Sequence, residues 1–240
     1  MSRKSFESYG RIAENFSNYT EISGRLKVQE ESEKNIVADV IKKLNLKSND
    51  SLLEIGCGAG NLLIPLSFAV DTIDGIDHIS CIELLKRRFP KGENINFIPG
   101  NFLDVAIDDV YSKILCYSVL HYLKNRDEVF EFINKSLRLL SPGGKALFGD
   151  IPNSSLKNRF INSNRGRKFL KEWQALVNSE TSGNQGCFDK DDELVEFDDD
   201  FVAEIVRKYQ KEGYSTYVLS QPENLPFGNT REDILIIKTD

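Results

Sequence analysis

Apolar residues recur at two periods along this chain. Ile36, Val37, Val40, Ile41 and Leu44 fall three and four apart and predict an amphipathic helix. Val129, Phe130, Ile133, Leu137 and Leu140 predict another, and residues 201–211 a third that stops at Gly213. Residues 61–70 and 80–89 also read as helices, although Pro65 is tolerable only near a first turn and otherwise kinks. Short apolar runs predict strands leading up to Glu54 and at 72–77, 95–98, 113–118, 214–219 and 233–238. A further strand follows the turn Ser141-Pro142-Gly143-Gly144. Strands that alternate with helices argue an α/β sheet with helices on both faces.

Two stretches lie outside this alternation. Phe6, Tyr9, Ile12, Phe16 and Tyr19 form one stripe on an N-terminal helical segment that Gly24 breaks. The stripe suits a helix docked on the core or a lid, here taken as residues 1–30. Residues 153–199 are too long for a plain connection. Phe169, Leu170, Trp173, Leu176 and Val177 give part of this insert helical spacing, and residues 178–199 are polar and acidic. Asp198 or Asp199 caps the helix that follows.

The candidate chemistry centres on residues 51–60, S-L-L-E-I-G-C-G-A-G. A buried strand that ends in Gly56, Gly58 and Gly60 turns tightly and lets backbone approach a ligand. It reads as a nucleotide-cofactor loop. The dinucleotide fingerprint would need a third glycine at 61, where Asn61 stands. Asp77 ends the next strand, about 20 residues on, where a carboxylate can accept from both ribose hydroxyls. Asp74 lies too early in that strand. Tyr117 lies at a strand's carboxyl end, the ligand side of a doubly wound sheet.

Composition narrows the class. The 240 residues are 40% hydrophobic and 28% charged, enough for one soluble domain, 1–240. A net charge of −6 disfavours nucleic acid as the main partner. Cys57, Cys81, Cys116 and Cys187 are widely spaced, so they read as reduced thiols of a cytoplasmic protein with no metal site. No run has the length of a membrane span and no apolar leader follows Met1.

The E-x-G-x-G-x-G spacing, the acid at 77 and L-L-S-P-G-G-K-A-L-F at 139–148 together resemble the class I S-adenosylmethionine-dependent methyltransferases. The resemblance covers residues 35–150, with weaker support to 240. It implies a Rossmann-like, doubly wound, mostly parallel seven-stranded sheet whose last strand is antiparallel. It also implies S-adenosylmethionine as cofactor and bacterial small-molecule methyl transfer to an O or N atom. The cofactor would lie against Glu54, Gly56, Cys57, Gly58, Gly60, Asp77, His78 and Tyr117. Glu54 would hold the loop and the amino acid end. Asn101 would accept from the adenine amine and Phe102 would offer its N–H, unless Asn101 is a plain turn residue.

His121 is the first candidate base, because its ordinary pKa is near neutrality, and Asp150 the second. The expected acceptor contacts are Tyr9, Tyr19, His121, Tyr122, Asn153, Arg165, Arg167 and Trp173. Arg165 and Arg167 form either a solvated basic face or a clamp for an anionic group. The signatures of DNA amino-methylating and cytosine C5 enzymes are missing, which leaves a small molecule, possibly an anionic sugar or nucleotide-linked sugar. The C-terminal L-P-F-G-N-T-R-E-D-I-L-I, taken with the basic insert, resembles methyltransferases of bacterial surface-glycan pathways. The rivals are a non-catalytic cofactor-binding scaffold or sensor, and an NAD-dependent oxidoreductase. Asn61 and the C-terminal hairpin argue against the latter. Oligomeric state stays open.

Overall fold

Strands that are apolar on both faces must be covered on both sides. The computed structural model describes residues 3–14, 19–23, 25–90, 93–179 and 194–239. One sheet contains β1 (Ser51–Ile55), β2 (Thr72–Asp77), β3 (Ile95–Pro99), β4 (Tyr111–Tyr117), β5 (Leu140–Pro152), β6 (Ser215–Ser220) and β7 (Arg231–Ile237). Their order is β3-β2-β1-β4-β5-β7-β6. β1 to β5 pair parallel, and β7 runs antiparallel between β5 and β6. This is the seven-stranded, mostly parallel sheet expected from the sequence.

The helices are α1 (Arg3–Glu14), α2 (Tyr19–Ile22), α3 (Glu30–Glu33), α4 (Asn35–Leu44), α5 (Leu63–Ser67) and α6 (Ile79–Arg88), followed by α7 (Arg126–Arg138), α8 (Ser154–Asn162), α9 (Asn164–Ser179) and α10 (Asp199–Lys211). Alternation along the strands sorts the core into two layers. Leu53, Ile114, Phe148 and Ile234 pack toward α7 and α10. Leu52, Leu115, Leu147 and Leu235 pack toward α4 and α5. A one-residue slip would expose a whole layer, so the register is firmly set. Cys116 sits in the first layer as a buried free thiol.

Several expectations shift. The helix expected over 61–70 contracts to α5. Pro65 is its third residue, within the first turn, where proline is tolerated. The expected turn at 141–144 belongs to β5, which already begins at Leu140. Pairing with β4 jumps from Tyr111–Leu140 to Lys113–Lys145, so these four residues bulge from the ladder. The N-terminal segment is two helices, and α1 rests on α6, with Ala13 and Ile22 packed beside Ala59, Cys81 and Leu84. Phe16, Gly24, Cys187 and the polar stretch 180–193 lie outside the described residues. The insert contributes α8 and α9, and Asp198 Oδ1 caps α10 by accepting from Phe201 N at 2.8 Å. Among the described residues no helix is long and apolar enough to cross a membrane.

A second bulge shapes the site. β5–β7 pairing breaks between Phe148 and Ile151. Asp150 takes φ +61° there, and its N–H donates to the Asp233 carboxylate at 2.8 Å instead of to a strand carbonyl.

Candidate active site

β1, β2, β4 and β5 all present their carboxyl ends to one edge of the sheet, where ligands of such folds bind. After β1, the N–H groups of Gly56 and Cys57 both donate to Ile76 O, at 2.8 and 3.2 Å, and pin the loop to β2. Gly56 has φ +82°, and a Cβ there would meet Val119 at 2.4 Å. Gly58, at φ +52°, has nothing within 4 Å of the place a Cβ would take. One glycine is demanded by packing and the other leaves open space beside the backbone.

Asp77 closes the loop from the other side. Its carboxylate accepts from Gly58 N at 2.7 Å and His78 N at 2.6 Å. Burial raises its pKa, and these two N–H groups act in the opposite direction. A carboxylate offers about four lone-pair positions, so acceptor capacity remains. Glu54 is 3% exposed and its Oε2 has no partner among the described residues. Burial, and then the charge of Asp77, push its pKa well above the usual carboxylate range. An ionisable oxygen left unpaired in a core is costly unless something else supplies its partner.

Asn61, which breaks the dinucleotide pattern, has a different task. Its amide donates to Tyr19 O and Glu33 Oε1, both at 3.0 Å, and its oxygen accepts from Arg88 Nη1 at 2.5 Å. The Arg88 guanidinium lies 4.1 Å from the Tyr19 ring centroid. The loop thus holds the N-terminal segment over a cavity of about 70 Å³ lined by Tyr9, Tyr19, Arg25, Glu54, Gly58 and Asp77, among others. The N-terminal helices are docked on α6 and the loop.

Arg25 and Ser118 were not visible as site residues in the sequence. Arg25 is 6% exposed. It donates to Glu33 Oε1 at 3.2 Å and to Ser118 Oγ at 3.0 Å, while its Nε is buried without a partner among the described residues. Ser118 directly follows β4, has φ +61° and donates to Asp150 Oδ2. Asp150 also receives Arg231 Nη1 at 2.7 Å and lies 3.5 Å from Arg25. A carboxylate held this way is an anchor for cations, which corrects its expected standing as second candidate base. Tyr117 lines the cavity, and its hydroxyl accepts from Gln221 at 3.1 Å.

His121 follows on a 3-10 turn, Leu120–Tyr122. Its ring lies 4.2 Å from that of Tyr122, which meets Tyr9 edge-on at 5.2 Å. The Tyr9 and Tyr122 hydroxyls are hydrogen-bonded to each other. His121 Nδ1 is buried without a partner among the described residues. Burial first, then Arg231 and Arg25, hold its pKa well below 6.5, so the imidazole is neutral at pH 7 and a weaker base than a solvated histidine.

Other sequence candidates are placed away from the cavity. His78 caps α6 by accepting from Ser80 N at 3.2 Å and packs under Phe6 and Gly10 of α1. Asn101 is a turn residue: its side chain accepts from Leu103 N at 3.3 Å and its carbonyl from Asp104 N at 2.9 Å. The Phe102 ring is buried against Phe132. Asn153 caps α8 and donates to Asp199 and Glu232 at 2.9 and 2.7 Å, so its amide is fully engaged. Arg165 pairs with Glu223, and Arg167 donates to Asn162 O at 2.5 Å and also to Asn164. Trp173 stacks on Phe169 along α9 at 6.1 Å. All three lie on the exposed insert. Among the described residues no group of His, Cys, Asp or Glu is placed to hold a metal ion.

A glycine loop pinned between β1 and β2, with acids at 54 and 77 under a helical cover, defines a class, and comparison with known proteins gives its family. Residues 29–194 match the family model described as a methyltransferase domain, and the chain belongs to that family. An uncharacterized methyltransferase of Schizosaccharomyces pombe is 31% identical over 43% of this chain and 42% of its own length. The chain spans about half or less of the curated relatives it matches. Among solved structures, the N-methyltransferase NodS from Bradyrhizobium japonicum, bound to S-adenosyl-L-homocysteine, shares the fold at TM-score 0.64. It is 15% identical, over 99% of this chain and 100% of that one. Phosphoethanolamine N-methyltransferase 1 of Haemonchus contortus gives TM-score 0.72 and 15% identity, over 99% of this chain and 49% of that one.

Proposed function

We propose that this chain transfers the methyl group of S-adenosylmethionine to an O or N atom of a small acceptor. The observation that carries the reading is the buried Glu54 carboxyl, whose Oε2 has no partner among the described residues, beside a glycine loop with open space at Gly58. The donor set suits that cofactor. Asp77 would accept from the ribose hydroxyls. Glu54 and Glu33 would accept from the α-ammonium, and Arg25, through its unpaired Nε, would donate to the α-carboxylate. The sulfonium supplies the reactivity, so the protein's work is to orient and desolvate the acceptor and remove a proton where needed.

His121 is our candidate for proton removal, with a neutral ring and an Nδ1 that has no partner among the described residues. Tyr9 and Tyr122 connect it to the cavity and would wall the acceptor. A sugar or nucleotide-linked sugar of a bacterial surface-glycan pathway remains our favoured acceptor type. One structural neighbour, phosphoethanolamine N-methyltransferase 1, has a small molecule as its named acceptor, which is compatible with that scale of acceptor.

The test is turnover. Purified protein is incubated with labelled S-adenosylmethionine and a panel of small hydroxyl and amine acceptors, sugars first, and label transfer is counted. Transfer to one class supports the reading. Cofactor binding with no transfer to any acceptor would favour a sensor, and NADH binding in its place would overturn it.

A further inference from the structure

Arg231 occupies an unusual position at the site's edge. It lies on β7 opposite Pro152, and its Nη1 donates to both Asp150 O, at 3.2 Å, and Asp150 Oδ2. Its guanidinium carbon rests 4.0 Å from the Phe227 ring centroid. One corner is thus tied and one face stacked. Nε and Nη2 donate to none of the described residues, and the side chain is only 17% exposed.

The charges around it pair off, Asp150 with Arg231 and Glu33 with Arg25, which leaves its outer donors and not its net charge to be satisfied. Asp150 is its one carboxylate within 4.0 Å among the described residues, and that group is shared with Arg25 and Ser118. Glu33 is committed to Arg25, and Asp233 to Lys43 at 2.6 Å. The groups on which Arg231 acts beside the site are Tyr9, Tyr122 and His121, and all three are neutral at pH 7. The proposed methyl donor is itself a cation. Two donors of a partly buried guanidinium thus face no acceptor among the described residues, and an oxyanion on a bound molecule would supply one.

We propose that Arg231 binds the methyl acceptor, through a carboxylate or phosphate group that the acceptor carries. The free Nε–Nη2 edge is the fork that takes two oxygens of such a group side by side. Held there, the acceptor presents its nucleophile toward His121 and the tyrosine pair. This places the anion contact on a stacked, anchored arginine at the strand ends, and not on Arg165 or Arg167, which already have partners on the exposed insert. The inference rests on the methyl-transfer reading and names the chemistry of its acceptor.

The experiment is calorimetry on the full chain in chloride buffer at constant ionic strength. Wild type, Arg231→Lys and Arg231→Gln are first titrated with S-adenosylhomocysteine, then, when saturated, with inorganic phosphate. Phosphate is expected to bind loaded wild type and to weaken by roughly tenfold or more in Arg231→Gln, the loss of a charged, two-point hydrogen bond. Arg231→Lys keeps the charge without the fork and should fall between. If Arg231→Gln fails to fold, a weakening in Arg231→Lys carries the same conclusion. Equal phosphate affinity in wild type and the folded variants, an adventitious ion only, overturns the inference and leaves the methyl-transfer reading standing. Failure of wild type to bind S-adenosylhomocysteine overturns both.

Discussion

Ser118 and Asp150 stand at the ends of neighbouring parallel strands, each at φ +61°, and the hydroxyl of one donates to the carboxylate of the other. Left-handed backbone in non-glycine residues costs about 1–3 kcal/mol each and persists only where the surroundings hold it. Here the holders are arginines. Arg25 donates to Ser118 at 3.0 Å, and Arg231 to Asp150 at 2.7 Å.

The strain and the hydrogen bond can be separated. Ser118→Ala keeps the strained backbone and leaves Asp150 and Arg25 each short of a partner, so it should lose about 1–3 kcal/mol. Ser118→Gly loses the same hydroxyl but relieves the backbone, and should be the more stable variant. Denaturant unfolding of the pair checks the order. Glycine no more stable than alanine would mean that position 118 stores no strain.

Glu54 ties folding to pH. Its folded pKa is raised by burial and by Asp77, so the unfolded chain ionises first as pH rises. The stability from keeping Glu54 protonated is full below about pH 4.5, the ordinary value, and is lost as pH climbs toward the folded pKa. Glu54→Gln should flatten that decline in unfolding measurements between pH 5 and 8. The same variant should weaken S-adenosylmethionine roughly tenfold, as expected for losing a charged hydrogen bond. In wild type, binding should release a proton, read by calorimetry in buffers of different ionisation enthalpy.

His121 has the opposite sign. Its pKa is lowered, so the unfolded chain binds the proton first as pH falls below about 6.5, and stability drops from there. The acid limb of kcat/KM should likewise lie below 6.5. His121→Asn should flatten the stability profile and lower kcat by about 10²–10⁴ while cofactor affinity holds. An acid limb at or above 6.5 would point to a different base.

Asn61→Gly restores the dinucleotide spacing but removes the contacts to Tyr19, Glu33 and Arg88. Amide hydrogen exchange across α1 and α2 should quicken, and NADH should still not bind. Unchanged exchange would mean that the cover is held by α6 alone.

Much of the fold was legible because its signals are local. Each parallel strand is a short apolar run, and Gly56, Gly58, Gly60 and Asp77 lie within one strand–helix–strand unit. The bulge at 141–144 was hidden, since Pro-Gly-Gly reads as a turn and only pairing with β4 makes it strand. The acceptor side was less legible. Arg25 meets Ser118 across 93 residues and Arg231 meets Asp150 across 81, separations that no local pattern encodes. Arg165 and Arg167 stood out as clustered charge, while Glu223, which occupies Arg165, arrives from 58 residues away. Asn153 read as a substrate contact because a strand end is where ligands sit, yet the α8 N-terminus and Glu232 use its amide.

Calorimetric titration with S-adenosylmethionine and S-adenosylhomocysteine, on wild type and Asp77→Ala, comes first. Micromolar binding to wild type that is lost in the variant is the expected result, because Asp77 both holds Gly58 and offers the ribose its acceptor. No binding to wild type, or equal binding to both proteins, would contradict the placement of the cofactor on the glycine loop.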